Sequence, residues 1–335
     1  MSERTHLRFA VSGGSGVGLG HVMRCAAIAA DARARGLRVT FALDGDEHAE
    51  EALRGEIPGA HVEAWKEARD LARPTDWVVF DSRRDLIPHL RAARRASART
   101  AVLDRLDYLE EADVSVLPVL HAAPSDHPRV MQGARYCVTA PAVRDLDPTP
   151  YRVATRNVVL VTLGGADPLA LTARVTPEVA RCLSTWPENE PRRELHCVIG
   201  PAFRDRAQLA RTLRGQHWHV HEAPSRSELA EMMNRSLFCV VGFGTTVYDL
   251  AYMGVPMVYV THHRSDTEDA CRLSEQGIGM LGANGSSFDA VEFRGVLART
   301  LLDPDWRVRS SARGRELLRD GNGGGRILDE LFSES

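Results

Sequence analysis

The feature that most constrains this chain is an alternation of short, β-rich runs with helical stretches, which occurs twice along 335 residues. Strands that alternate with helices of this length are typical of βαβ units and parallel sheets. A chain this long also exceeds what one hydrophobic core usually serves. The pattern therefore predicts an α/β fold made of two Rossmann-like domains, each built on its own parallel sheet.

The boundary between the predicted domains lies in a proline-bearing stretch, residues 145–156, so we predict an N-terminal domain over 1–148 and a C-terminal domain over 149–335. The predicted strands are 7–12, 39–43, 62–65, 77–81, 100–104, 114–118, 157–163, 194–199, 217–221, 238–241 and 257–260. The main predicted helices are 21–35, 85–98, 166–183, 204–213, 226–233, 245–253, 265–276 and 327–332.

Composition and charge exclude several classes of function. The 42 basic and 45 acidic residues are mixed along the chain and give a net charge of −3, without the basic patch that nucleic-acid binding needs. No run reaches the roughly 20 apolar residues that cross a membrane, and no apolar signal core follows the polar first residues. The six cysteines form no C-x-x-C pair, which is typical of thiols in a reducing compartment. We therefore predict a cytoplasmic protein without a transmembrane segment or a nucleic-acid partner.

A glycine-rich run from Ser12 to His21 ends the first predicted strand and opens the first predicted helix. Glycines let the backbone approach a ligand closely, and a helix N-terminus offers N–H groups and a positive dipole. His21 follows the C-terminal end of a strand, where open α/β sheets bind ligands, and histidine is suited to general-base catalysis. His21 is therefore a candidate base, with a capping or packing role as the alternative.

A second strand–glycine–helix turn is predicted at Gly164-Gly165, at the start of the second half. Its backbone amides could bind a diphosphate. A tight turn with Asp167 near the start of a helix explains the same residues equally well.

A third such turn, at Gly244-Thr245-Thr246, opens another predicted helix. The two hydroxyls could cap that helix or bind a phosphate. Asp249, one helical turn later, could accept both hydroxyls of a ribose, or it could be a solvated helix residue. If two Rossmann-like domains face each other across a cleft, all three glycine turns meet there.

The run Gly18-Leu19-Gly20-His21-Val22-Met23-Arg24-Cys25, followed by an Ala-rich helix, resembles the N-terminal signature of the PseG/SpsG family. That family includes the UDP-sugar hydrolase of pseudaminic acid biosynthesis and is related to MurG, a glycosyltransferase. The resemblance covers about residues 7–333, and its further matches are 163–168, 244–246, 254–256 and 320–323 with Arg326.

The resemblance implies a GT-B fold, two Rossmann-like domains with parallel sheets facing across a cleft, that uses an NDP-sugar, with UDP as the expected nucleotide. It implies His21 as the catalytic base, with Asp81 or Asp104 orienting it or the sugar. The nucleotide-binding residues it implies are Gly164, Gly165, Gly244, Thr245, Thr246 and Asp249. Its implied sugar and phosphate residues are Gly18, Gly20 and Arg24. His262 and His263 stand where the family has an Asn-Gln pair, and one of them could line the sugar pocket. No metal or other cofactor is implied, because helix dipoles and backbone amides can stabilise the departing diphosphate.

Departures from the family concern the sugar side. The positions that differ from the usual hydrolase residues are Ala10, Ser12, Ser82-Arg83, Ala140 and His262-His263. These losses favour a glycosyltransferase, which passes the sugar to an organic acceptor, over a hydrolase, which passes it to water. Two other hypotheses are a sugar-nucleotide sensor and a nicotinamide-dependent dehydrogenase with Asp44 on the ribose. The retained His21 argues against the first, and the missing G-x-G-x-x-G fingerprint against the second.

A metal site is the last alternative. His217, His219 and His221 alternate on one face of a predicted strand, as three ligands could. Partly exposed strand histidines without a metal are far commoner, so we predict no metal in this protein.

Overall fold

The structure is a computed structural model that describes residues 5–71, 75–146, 148–152, 155–188, 191–201, 203, 206–212 and 218–333. The chain divides into two compact units. Unit 1 comprises Met1–Pro141 and Gly321–Ser335, and unit 2 comprises Ala142–Asp320.

Unit 1 is built on a parallel sheet of seven strands in the order β3-β2-β1-β4-β5-β6-β7. The strands are β1 His6–Gly13, β2 Arg38–Gly45, β3 His61–Ala64, β4 Trp77–Asp81, β5 Arg99–Leu103, β6 Val114–Leu117 and β7 Val130–Gln132. The helices between them are α1 Gly20–Ala34, α2 Glu47–Glu56 and α3 Ile87–Arg95, and α4 Pro141–Arg144 follows at the division between the units.

Unit 2 repeats this arrangement with six strands in the order β10-β9-β8-β11-β12-β13, again all parallel. The strands are β8 Val158–Thr162, β9 Glu194–Ile199, β10 Trp218–Glu222, β11 Ser236–Gly242, β12 Met257–Thr261 and β13 Met280–Asn284. The helices are α5 Thr172–Leu183, α6 Arg206–Thr212, α7 Arg226–Arg235, α8 Thr246–Tyr252, α9 Ser265–Glu275, α10 Ala290–Leu301 and α11 Pro304–Leu317.

The central strands of both sheets are buried on both faces, which is why they are continuous apolar runs rather than alternating ones. In each sheet the chain reverses its direction of winding between two neighbouring strands, β1 and β4 in unit 1 and β8 and β11 in unit 2. Open α/β sheets bind ligands at the C-terminal ends of the strands beside such a switch point. The two-sheet α/β architecture confirms the predicted fold class.

The division between the units differs from the predicted boundaries of 1–148 and 149–335. The last helix, α12 Gly323–Phe332, belongs to unit 1, because Ile327, Leu328 and Leu331 join the hydrophobic core around α1. Arg35 at the end of α1 pairs with Asp329 at 2.7 Å. The glycines before and within the first turn of α12 let it lie close to the rest of unit 1.

Several predicted elements begin or end elsewhere. The helix predicted from residue 166 begins at Thr172, because Asp167 and Ala170 have positive φ angles of 40° and 49° that no α-helix continues through. Strand 217–221 is β10, Trp218–Glu222, and His217 lies outside the described residues. Strands β7 and β13 and helices α2, α4, α10 and α11 were not among the named predictions.

Candidate active site

The glycine loop after β1 is a closed turn that the carboxylate of Asp46 binds through a backbone amide. Gly14 and Gly18 exchange backbone hydrogen bonds of 3.0 and 2.7 Å, and Gly18 has a φ of 90° that favours glycine. The backbone N–H of Ser15 donates to Asp46 at 2.8 Å. This amide of the loop is therefore already bound to a carboxylate, while no side chain caps the first turn of α1 that follows.

His21 lies in that first turn and forms a short hydrogen bond to Asp81. Its Nδ1 is 2.6 Å from Asp81 Oδ1. Asp81 is the last residue of β4, so the pair sits at the switch point of unit 1. Among the described residues, no recorded hydrogen bond engages Nε2 of His21, whose side chain is 18% exposed. The imidazole is therefore held by one nitrogen and offers the other.

Asp81 is fully buried and accepts hydrogen bonds from three side chains. Besides His21, Arg24 donates through Nε to Oδ2 at 2.8 Å and through Nη2 to Oδ1 at 2.9 Å. The thiol of Cys25 donates to Oδ2 at 3.7 Å. Burial opposes the ionisation of Asp81, but the charges of Arg24 and His21 and their hydrogen bonds hold its pKa well below the usual range. Asp81 is therefore a fixed anion that orients His21.

Asp104 completes the cluster from the end of the neighbouring strand β5. Arg24 Nη1 donates to Asp104 Oδ2 at 3.2 Å, so one guanidinium joins the two carboxylates. Asp104 has a left-handed φ of 62°, and its backbone N–H donates to Val116 at 2.7 Å. The structure thus brings together His21, Arg24, Asp81 and Asp104, which we call the His21 cluster. Because Arg24 points its donors at carboxylates, this geometry favours a positioning role over contact with a phosphate.

A hydroxyl pair beside this cluster was missed by sequence reasoning. Ser12 Oγ at the end of β1 lies 2.7 Å from Ser82 Oγ, just after β4, and 3.2 Å from Asp44. Both serines stood out only as departures from a family pattern. Their pairing follows from the adjacency of β1 and β4, which the spacing of 70 residues does not reveal.

In unit 2 the predicted turn at Gly164-Gly165 follows β8, and Gly164 has a φ of 98°. Asp167, two residues later, is buried and caps α5. It accepts hydrogen bonds from the backbone N–H groups of Leu171 and Thr172 at 2.9 and 2.8 Å and from the Thr172 hydroxyl at 2.6 Å. Asp167 therefore stabilises the start of a helix at the C-terminal edge of the sheet.

His262, which follows β12, approaches the same carboxylate. Its Nε2 lies 3.4 Å from Asp167 Oδ1, which connects the loops after β8 and β12. Burial alone would raise the pKa of Asp167, but hydrogen bonds from His262 and Thr172 lower it. His263 is exposed, so the two adjacent histidines have different surroundings.

The third predicted turn, Gly244-Thr245-Thr246, lies between β11 and α8, at the switch point of unit 2. No side chain caps α8 at Thr245, which leaves that capping prediction without support. Asp249 in α8 is 5% exposed, so it is not the solvated helix residue of the alternative hypothesis. Its role toward a ribose stays a prediction.

Comparison with known proteins identifies the fold. No protein-family model matches the sequence, and the search of curated proteins found no match. Acinetobacter baumannii MurG has the same fold, with a TM-score of 0.65, 14% identity and coverage of 98% of this chain and 100% of that chain. UDP-GlcNAc 2-epimerase from Neisseria meningitidis, bound to UDP-GlcNAc, matches with a TM-score of 0.65, 10% identity and coverage of 98% and 100%.

CalG4, the calicheamicin glycosyltransferase, matches with a TM-score of 0.61, 16% identity and coverage of 98% of both chains. At such identities the likeness concerns the fold, and it confirms the predicted GT-B fold, which MurG shares. None of the helices in the described ranges combines the length and the apolar character that crossing a membrane requires.

Proposed function

We propose that this protein is a metal-independent, inverting glycosyltransferase that uses a nucleoside-diphosphate sugar, with UDP as the expected nucleotide. The observation that carries the proposal is the His21–Asp81 pair at the switch point of unit 1, with Nε2 of His21 left for the reaction. Glycosyltransferases and an enzyme bound to UDP-GlcNAc share this fold, which supports a sugar nucleotide as the substrate.

In the proposed reaction, Nε2 of His21 takes the proton from an acceptor hydroxyl. The hydroxyl oxygen then bonds to the anomeric carbon as the bond from that carbon to the phosphate oxygen breaks, and the nucleoside diphosphate leaves with the electron pair. A single in-line displacement inverts the anomeric centre. Asp81 holds the ring in place and stabilises the imidazolium that forms.

The departing diphosphate is the proposed ligand of unit 2. Backbone amides near Gly164-Gly165 and Gly244-Thr246 are the groups we assign to it, since amides at helix N-termini stabilise anions without a metal. Asp249 is assigned to the ribose. The proposal thus assigns proton transfer to unit 1 and nucleotide binding to unit 2.

Hydrolysis is the second candidate function, favoured by the Gly18–Cys25 run that resembles the PseG/SpsG signature. In that reaction His21 deprotonates water instead of an organic hydroxyl. Residues of the cluster play the same roles in both reactions, so only the acceptor distinguishes them.

The test is release of nucleoside diphosphate from a panel of sugar nucleotides, without and with added acceptors. We expect release that depends on acceptor in the wild type, a loss of about 10²–10⁴-fold in His21→Ala, and unchanged thermal protection by UDP in that variant. His48→Ala, a half-exposed histidine on α2, is the matched control and should turn over normally.

Fast release without acceptor, abolished in His21→Ala, would identify a hydrolase instead. If His21→Ala turns over as fast as the wild type, His21 is not the base. If no sugar nucleotide or diphosphate protects the protein thermally, the sugar-nucleotide proposal itself fails.

A further inference from the structure

Four polar side chains lie next to one another on one face of the two strands at the edge of the unit 2 sheet. Glu194 and His196 lie on β9, and His219 and His221 lie on β10, the edge strand. His196 and His219 are direct partners in the parallel register. Residues two apart on a strand share a face, so all four side chains stand on the same side of the sheet. We call this set the β9–β10 cluster.

Ligand atoms in the cluster are close enough to hold one ion. One donor atom each from Glu194, His196 and His219 lie within 4.8 Å of one another. His196 Nε2 is 3.3 Å from Glu194 Oε2, and the rings of His196 and His219 have centroids 4.7 Å apart. Bonds of about 2.0–2.2 Å from a metal to nitrogen or oxygen require only small movements of these side chains to converge.

His221 supplies the support that a metal-binding histidine usually has. Its Nε2 lies 3.0 Å from Nδ1 of His196, the nitrogen that does not face Glu194. A hydrogen bond at that nitrogen fixes the tautomer and the orientation of the ring, so that Nε2 points at the metal. His196 itself is 7% exposed, which keeps its ring immobile, whereas His219 is exposed and leaves coordination positions open to solvent.

We propose that Glu194, His196 and His219 bind a divalent first-row transition ion such as Zn²⁺, with His221 positioning His196. Two imidazoles and one carboxylate suit zinc, nickel, copper or iron and are unsuited to calcium or magnesium, which prefer oxygen ligands. The site is separate from the His21 cluster and takes no part in the proposed reaction.

The guanidinium of Arg235 would compete with a metal ion for the carboxylate of Glu194. Arg235 Nη2 lies 3.5 Å from Glu194 Oε2, and both side chains are about half exposed. An exposed pair of this kind contributes little free energy, so the guanidinium can swing into solvent when an ion binds. The bound ion would then link β10 to β9, so that metal coordination fastens the edge strand of the sheet to its neighbour.

The experiment titrates the metal-free full-length chain with Zn²⁺ by calorimetry and with Co²⁺ by visible absorption. We expect one equivalent to bind and to raise the melting temperature. His219→Ala and Glu194→Gln remove exposed or half-exposed ligands, so both should fold and should weaken binding more than about tenfold; His221→Ala should weaken it by about 10–100-fold.

His61→Ala is the matched control, because His61 and Glu63 also form a pair on a strand, 3.0 Å apart, but belong to no group of three ligand residues among those the structure describes. It should bind like the wild type. The proposal is overturned if the wild type binds no stoichiometric zinc, if His219→Ala binds equally well, or if the Co²⁺ complex shows a thiolate charge-transfer band, which would place the ion at the exposed Cys271.

Discussion

Unit 1 and unit 2 have the same strand order around their switch points but place different chemistry there. In unit 1 the strand ends and the first turns of α1 carry charges, with Arg24 between the buried Asp81 and the more exposed Asp104 and with His21 beside them. In unit 2 they carry glycines and hydroxyls, and the buried carboxylate Asp167 is satisfied by backbone amides and a hydroxyl. The same topology thus places a charged cluster in one unit and glycine turns with hydroxyls in the other, which we propose serve proton transfer and anion binding respectively.

The largest expected effect tests whether catalysis belongs to unit 1 alone. Asp81→Asn should lower the turnover of the sugar nucleotide by about 10²–10⁴-fold, because an amide no longer holds His21 as a base. The affinity for UDP, measured by calorimetry, should change less than twofold by comparison. A variant that loses UDP affinity and keeps its turnover would contradict the division between the units.

The second test compares ion pairs in the two units through the free energy of unfolding in urea. Arg24→Met leaves the buried Asp81 without its main counter-charge and should cost about 3–5 kcal/mol. Arg272→Met, in unit 2, removes an exposed partner of Asp269 and should cost less than about 1 kcal/mol. Equal costs would mean that the buried cluster does not stabilise unit 1.

The third test sharpens the role of unit 2. Asp249→Ala should weaken UDP binding by about 1–3 kcal/mol through lost hydrogen bonds to the ribose. Asp249→Glu keeps a carboxylate and is the control that should retain most of the affinity. Because Asp249 is buried, a purely structural role predicts a different result: lower stability of Asp249→Ala with its UDP affinity intact.

The smallest effect concerns the cap of α5. Asp167→Ala should lower the stability of unit 2 by about 0.5–2 kcal/mol at pH 7. The folded-state pKa of Asp167 is lowered, so its contribution is full above about pH 4 and disappears as the pH falls through the folded pKa. Urea unfolding from pH 7 downward should show the variant and the wild type converging in acid, and a constant difference would refute the assignment.

Most of the architecture follows from hydrophobic patterning. The central strands β1, β4, β8 and β11 are apolar on both faces and were predicted within two residues of their bounds. Strands β7 and β13 were missed because they are only partly buried at the sheet edges and lack an uninterrupted apolar run. The sequence pattern also predicted that α5 starts at residue 166. The positive φ angle of Asp167 delays its start to Thr172, although the residues in between are compatible with a helix.

From the sequence, a candidate residue could be placed near the C-terminal end of a strand, but its contacts could not be predicted. His21 was chosen from such a position, and Asp81 and Asp104 from the family resemblance; helix α1 and the parallel strands β4 and β5 then bring the three together. What sequence could not supply is which partner each one takes: that Arg24 joins two carboxylates, that Asp46 binds the glycine loop, or that His262 reaches Asp167 across 95 residues. These contacts depend on the register and spacing of whole elements.

The return of α12 to unit 1 has a consequence for how the chain is made. Ile327, Leu328 and Leu331 complete the core around α1, yet the whole of unit 2 separates them from α1 in sequence. During synthesis α1 therefore keeps an uncovered apolar face until unit 2 has emerged, whereas unit 2 is continuous in sequence and needs no later segment. The core of unit 1 is then completed after that of unit 2, although most of unit 1 precedes unit 2 in the chain.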